Sequence, residues 1–169
     1  MARYHSAKAH GAKLITQDMQ QPTLDARIAS ASERDYGDPI ALLEAASLPT
    51  EDLERSSMAN FLLARDGSGK VIGAIGVERY GRTALLRSLV VSPSYRNRGL
   101  GTRLVAELEA RCRFLAVADL FLLTTTARDF FAGQRYQAIE RGSVPVGLRA
   151  AAEFTRLCPD SAVCMTKSL

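Results

Sequence analysis
The chain reads as an α/β (α+β) protein, with a mixed, mostly antiparallel central sheet flanked by helices. Three features of the sequence lead there. Short apolar runs suited to strands recur at 60–65, 71–78, 84–91 and 119–124. Turn signals at hairpin spacing separate the first three, namely Asp66-Gly67-Ser68-Gly69 and Tyr80-Gly81-Arg82. A helical period follows, with Leu100, Leu104, Leu108 and Cys112 on one face at fourth-residue spacing.

At 169 residues the chain is long enough for one domain with its own core, and 47% hydrophobic against 24% charged content excludes a disordered chain. The net charge of +4 suits a small anionic ligand at least as well as nucleic acid. No basic run is interleaved with aromatics in the manner of single-strand binders. No apolar run approaches the ~20 residues of a membrane span. The expected partners therefore exclude nucleic acid and membrane, and the expected location is the cytoplasm.

Residues 1–25 are polar and aperiodic and are expected to be a disordered extension ahead of a single domain at 26–169. They lack the apolar core of a signal peptide, and Met19 is an alternative start. His5 and His10 lie there and are the only histidines, so no histidine triad or histidine metal site is expected. A first strand is expected at 26–31. Asp38 can cap a helix with Pro39 at its first position, and Ile40, Leu42, Leu43, Ala46 and Leu48 supply its apolar face. A second short helix is expected at 49–53, capped by Thr50. Beyond the central helix, 119–124 reads as a buried strand. Thr125-Thr126 places a hydroxyl at the start of a short helix at 127–132, and 135–139 is a further strand. Pro145 opens a helical stretch carrying Leu148, Ala151, Ala152 and Phe154. Leu157-Cys158-Pro159 stops it, and 161–166 is the last strand.

The stretch 84–113 organises the rest. An apolar strand ends at Ser92-Pro93-Ser94. A basic turn follows, Tyr95-Arg96-Asn97-Arg98-Gly99-Leu100-Gly101, and it opens the central helix. Helix N-termini leave about four N–H groups unpaired and carry partial positive charge. Glycines let an anion reach those groups. Neither the Rossmann spacing nor the P-loop spacing is present.

Arg96-x-x-Gly99-x-Gly101 after Leu-Val-Val-Ser-Pro resembles the coenzyme-A pyrophosphate loop of the GCN5-related N-acetyltransferases (GNAT). The segment 122–136 is similar to that family's L-x-L-x-T-x-x-A-x-x-F-[YF] run. There are two departures: Phe131 stands where many members carry a tyrosine, and Arg135 stands in place of a glycine. The runs 85–89, 122–127 and 157–162 resemble the acetyltransferases associated with bacterial arsenic resistance, close to the N-acetylglutamate-synthase type of amino-acid acetyltransferase. The resemblance covers about 26–169. It implies a sheet splayed between its fourth and fifth strands, acetyl-CoA as co-substrate, no metal, and a small amine acceptor bearing a carboxylate. It leaves a homodimer open.

Carried over by position, Leu89, Val90 and Val91 would offer backbone groups to pantetheine, with the Val91 N–H facing the thioester carbonyl. Arg96, Asn97, Arg98, Gly99, Leu100, Gly101 and Thr102 would hold the pyrophosphate. Thr126 and Phe130 would lie along pantetheine. The tyrosine's role as general acid cannot pass to Phe131, which has no hydroxyl. Tyr136, protonation of the thiolate by water, or no acid at all remain open.

Arg87 interrupts an apolar strand and shares a face with Leu89 and Val91 by alternation, so it needs a partner. One reading is a salt bridge. The other is a fork for the acceptor carboxylate, as the resemblance to amino-acid acetyltransferases implies. Glu78 ends the neighbouring strand on the face of Ala74 and Gly76, small residues that would leave room for a ligand. It is the candidate general base, directly or through water. Cys112, Cys158 and Cys164 form neither a zinc pattern nor a disulfide framework and are expected to be inert thiols. Two functions follow: a direct ternary-complex N-acetyltransferase linked to arsenic resistance, or a catalytically weak acetyl-CoA-binding regulatory domain.

Overall fold
The computed structural model describes residues 25–169. The extension expected at 1–25, apart from its last residue, lies outside the described residues, and so do Met19, His5 and His10. Among the described residues there are seven strands: β1 Arg27–Ser30, β2 Phe61–Arg65, β3 Val71–Tyr80, β4 Thr83–Val91, β5 Asp119–Thr124, β6 Gln137–Ile139 and β7 Val163–Ser168. They form one sheet in the order β1-β2-β3-β4-β5-β7-β6. Every neighbouring pair is antiparallel except β4 and β5. The helices are α1 Gly37–Ala45, α2 Leu100–Phe114, α3 Arg128–Gly133 and α4 Val146–Arg149.

Strand alternation sends successive side chains to opposite faces of the sheet. Leu62, Ala64, Val77, Leu86 and Leu122 pack with Leu104 and Leu108 of α2. Phe61, Leu63, Ala74 and Val90 pack with Leu43 of α1 on the other side. Farther along that second side, Leu85, Phe121 and Cys164 are covered by Val144, Leu148 and Ala151 of the tail.

One irregularity in β4 decides where the site falls. Gly76 pairs with Arg87, but Ala74 pairs with Val90, so Ser88 and Leu89 together oppose Ile75. That is a β-bulge, and Ser88 takes the left-handed φ of 57°. The extra residue reverses the alternation, so Arg87, Leu89 and Val91 do not share a face as regular alternation predicts. Val90 joins the α1 side, and Leu89 and Val91 turn toward α2. Next to the bulge, β4 and β5 pair only from Thr83 and Asp119 to Leu85 and Phe121. Beyond those rungs the two strands part, which is the expected splay.

Other expectations are corrected. Tyr36, not Asp38, stands at the N-cap of α1, and no side-chain hydrogen bond caps that end. Residues 49–53 form only a turn, closed by the Leu53 N–H on the Thr50 carbonyl at 3.0 Å. The helical piece comes later, as the 3₁₀ segment Arg55–Asn60, where the Ser57 hydroxyl accepts the Glu54 N–H. The hydroxyl at the start of α3 belongs to Thr124, which accepts the Ala127 N–H at 2.9 Å. Arg135 adopts a left-handed φ of 68°, so β6 begins only at Gln137. The tail's helical stretch is one α-turn followed by a π-helical turn, Glu153–Leu157.

Gly76 does not leave room for a ligand. A Cβ there would meet the Phe61 ring at 2.7 Å. Phe61 is itself almost fully buried, so it has little space in which to yield. We expect Gly76→Ala to destabilise the fold by about 1–3 kcal/mol through overpacking. Denaturant melts should show a lower midpoint at an unchanged slope.

Candidate active site
Two recesses flank the bulge, one lined by Leu89 and the other by Ser88. On the α2 face is a groove of about 640 Å³. Its end wall is the basic turn, where Asn97 and Gly99 take left-handed φ values of 59° and 76° and bring the chain tightly into α2. The first ladder bond of α2 runs from the Arg103 N–H to the Gly99 carbonyl at 3.0 Å. The N–H groups of Leu100, Gly101 and Thr102 therefore precede the ladder, at the positive end of the helix. Those three residues line the groove with Arg96, Asn97 and Gly99. Leu89 and Val91 form one wall and Phe130 another. A Cβ on Gly101 would stand 3.4 Å from the Phe130 ring and 3.9 Å from Val91, so its absence widens the groove there.

The Ser92 N–H bonds the Ile72 carbonyl at 2.8 Å. By alternation the polar groups of Val91 point the other way, into the splay. Its carbonyl accepts the Arg96 Nε–H at 3.0 Å. Three residues expected to touch the coenzyme stand apart from the groove. Val90 is buried on the opposite face. Arg98 is exposed, with its guanidinium 5.8 Å from the Tyr95 ring. Thr126 is exposed, and Ala127 lines the groove in its place. Tyr95 was missed as a lining residue. Its hydroxyl donates to Asp66 at 2.9 Å, which ties the basic turn to the β2–β3 hairpin.

On the other face is a small cavity of about 80 Å³, with Ser88 in its wall as Leu89 is in the groove's. Arg87 dominates it, at 6% exposure. Asp52 grips the guanidinium with both oxygens, at 2.5 Å from Nη1 and 2.8 Å from Nη2. Nη1 also donates to Glu78. Nε lies 2.7 Å from Glu153 and 3.3 Å from the Ser88 hydroxyl. Of the two readings of Arg87, the salt bridge is the one present, and the expected open fork is closed by the chain's own carboxylates. Glu78 accepts a second bond, from the Tyr80 hydroxyl at 2.9 Å. The hydrogen bond from Arg87 draws the Asp52 carboxyl below its usual range against the opposing effect of burial. Burial pushes Glu153 up to about 7, with Arg87 pulling it down and Glu78 pushing it up.

Neither Asp52 nor Glu153 was found from the sequence. The signal was Arg87 itself, since a buried arginine demands counter-charges. Which acids answer it is a tertiary matter, because they come from a turn after α1 and from the tail. Among the alternatives for a general acid, Tyr136 is sealed. It is 2% exposed, and its hydroxyl donates to Glu109 at 3.1 Å. Burial first, then Glu109, raises its pKa. Phe131 is buried, with its ring edge-on to Phe130 and Tyr136. Cys112 and Cys164 are free and buried, while Cys158 lines the small cavity. No described helix is long and apolar enough to cross a membrane.

Residues 25–137 match the family model described as the acetyltransferase (GNAT) family. An amino-acid acetyltransferase of Edwardsiella ictaluri is 27% identical over 106 residues, 63% of this chain and 24% of that protein. One from Azotobacter vinelandii is 34% identical over 98 residues, 58% of this chain and 21% of that protein. The chain thus aligns with about a quarter of these relatives' length. In fold it is similar to the Neisseria gonorrhoeae N-acetylglutamate synthase complexed with coenzyme A and N-acetyl-glutamate. The TM-score there is 0.74 at 20% identity, over 85% of this chain and 35% of that one. A Mycobacterium tuberculosis protein in complex with CoA and NLQ gives 0.73 at 21% identity, over 85% and 99%.

Asp66 links stability to acid. Hydrogen bonds from Ser68 and Tyr95 hold its carboxyl at about 2, below the ordinary 3.8. A depressed carboxyl stabilises the fold above its unfolded pKa and loses that contribution as pH falls through the folded one. The melting temperature of Asp66→Asn should lie below wild type at neutral pH. The gap should narrow below about pH 4 and close near pH 2.

Proposed function
The chain belongs to the GNAT acetyltransferase family, and from that premise we propose that it transfers the acetyl group of acetyl-CoA to the amino group of a small amino-acid-like acceptor. The observation that carries this reading is that neighbouring residues of the bulge line the two recesses, Leu89 the groove and Ser88 the small cavity. In this reading the N–H groups of Leu100, Gly101 and Thr102 hold the pyrophosphate, with Arg96 adding charge. Pantetheine runs along Leu89 to Val91, and the Val91 N–H takes the thioester oxygen. The acceptor enters from the opposite face through the splay and meets the thioester carbon within one ternary complex.

An amine arrives as an ammonium ion, and the acid-lined cavity attracts it. Glu78 removes the proton, directly or through water, and the nitrogen forms its bond to the carbonyl carbon. The C–S bond then breaks. The nitrogen gives its second proton to water as the amide forms, and water protonates the leaving thiolate, because Phe131 has no hydroxyl and Tyr136 is committed to Glu109. The amino-acid acetyltransferase names of the relatives support the acceptor class. The phenylalanine at 131 favours the second reading, a weak acetyl-CoA-binding regulatory domain.

Thiol release with a panel of amino acids, arsenic-containing ones included, separates the two. Turnover supports transfer, and coenzyme binding without turnover supports the regulatory reading. Gly101→Val should weaken coenzyme A binding at least tenfold, about 1.4 kcal/mol, in a folded protein, as read by calorimetry. Unchanged affinity would remove the groove from the coenzyme's path. Glu78→Gln should lower kcat roughly 10²-fold at neutral pH with coenzyme affinity intact. The loss should shrink as pH rises and free amine accumulates.

A further inference from the structure
The three carboxylates around Arg87 are held unequally. Asp52 is bound through both oxygens. Glu78 is shared between Arg87 and the Tyr80 hydroxyl. Among the described residues, Glu153 touches the cluster through Arg87 Nε at 2.7 Å, and neither of its buried oxygens has a hydrogen bond. At 6% exposure it cannot turn to solvent for a substitute. It also starts a π-helical turn, an irregular backbone that often accompanies functional sites.

The cavity beside Glu153, about 80 Å³, holds a few waters at ~30 Å³ each but not an amino acid. Something must leave before an acceptor enters, and Glu153 is the least anchored of the three acids. We propose that Glu153 is the chain's own stand-in for the acceptor carboxylate. It occupies the Nε side of Arg87 in the free protein and yields that side to a carboxylate-bearing acceptor. This inference rests on the acetyl-transfer reading above.

The consequence is selectivity by charge exchange. An entering carboxylate replaces a carboxylate, so the buried guanidinium stays compensated. A carboxylate-free amine that displaces Glu153 leaves Nε with only the neutral Ser88 hydroxyl at 3.3 Å and no counter-charge on that side, which is costly in a buried place. Asp52 and Glu78 stay in position and face the acceptor's ammonium group. Arg87 thus becomes the acceptor's anchor only after the exchange.

The test compares amino acids with their decarboxylated partners, alanine with ethylamine and leucine with isopentylamine, on the full chain. Glu153→Gln keeps the size and removes the competing charge. KM for the amino acids should fall about tenfold relative to the amines, a change of about 1.4 kcal/mol. Glu153→Asp, which keeps the charge but shortens its reach, should fall between the two. Calorimetry of glutarate on the coenzyme A-loaded chain adds a measurement that needs no turnover. Glutarate should bind several-fold tighter to Glu153→Gln than to wild type. A drop in kcat with KM unmoved would make Glu153 a proton acceptor and overturn the proposal. Equal KM changes within each pair, or unchanged glutarate affinity, would also overturn it. If wild type acetylates nothing yet glutarate binds the variant tighter, the transfer reading fails and the stand-in survives.

Discussion
A single extra residue in β4 is the constraint on which the site depends. A regular strand would put Arg87, Leu89 and Val91 on one face. With Ser88 in a left-handed conformation, Arg87 stays with the acids on the α1 side, and Leu89 and Val91 turn to the groove beside α2. β4 and β5 stop pairing after Leu85 and Phe121, just before the bulge, so the strands are already apart where Ser88 and Leu89 line the two recesses. Non-glycine residues enter left-handed space at some energetic cost, and such conformations cluster where function needs them.

Arg87 is the electrostatic counterpart of that constraint. Charge removed from water must be compensated, and three acids from separate segments converge to do so. Asp52 comes from the turn after α1, Glu78 from β3 and Glu153 from the tail. The guanidinium therefore fastens three parts of the chain over the end of the splay. The tail is held a second way, since Lys167 of β7 reaches the buried Glu109 of α2 at 2.7 Å.

The sheet and the basic turn were legible in the sequence because they rest on local signals. Apolar runs, hairpin turns and Gly99 before a periodic helix each act within a few residues. The bulge was not legible, because Arg87-Ser88-Leu89 carries no glycine or other local mark of an inserted residue. That one-residue slip is why the expected face of Leu89 and Val91 was wrong. Gly76 was misread for a related reason: its missing side chain serves the Phe61 ring from the neighbouring strand. Asp52 and Glu153 were invisible because only the folded chain brings them to Arg87. The nearness of Glu78 to Arg87 was legible because strand pairing alone sets it diagonal to Arg87 across β3 and β4.

The two recesses draw on different parts of the chain. The groove is built almost wholly from one continuous stretch, 89–102, closed by Ala127 and Phe130. The cavity is assembled from Leu48 and Pro49, the middle of β4, Leu123, and Glu153 and Cys158. Inheritance can act on these parts separately. Changes in the α1 turn and the tail can reshape what enters the cavity while the turn-and-helix cradle is left alone. On the proposed reading, a scaffold divided in this way can diversify its acceptors at little risk to its donor.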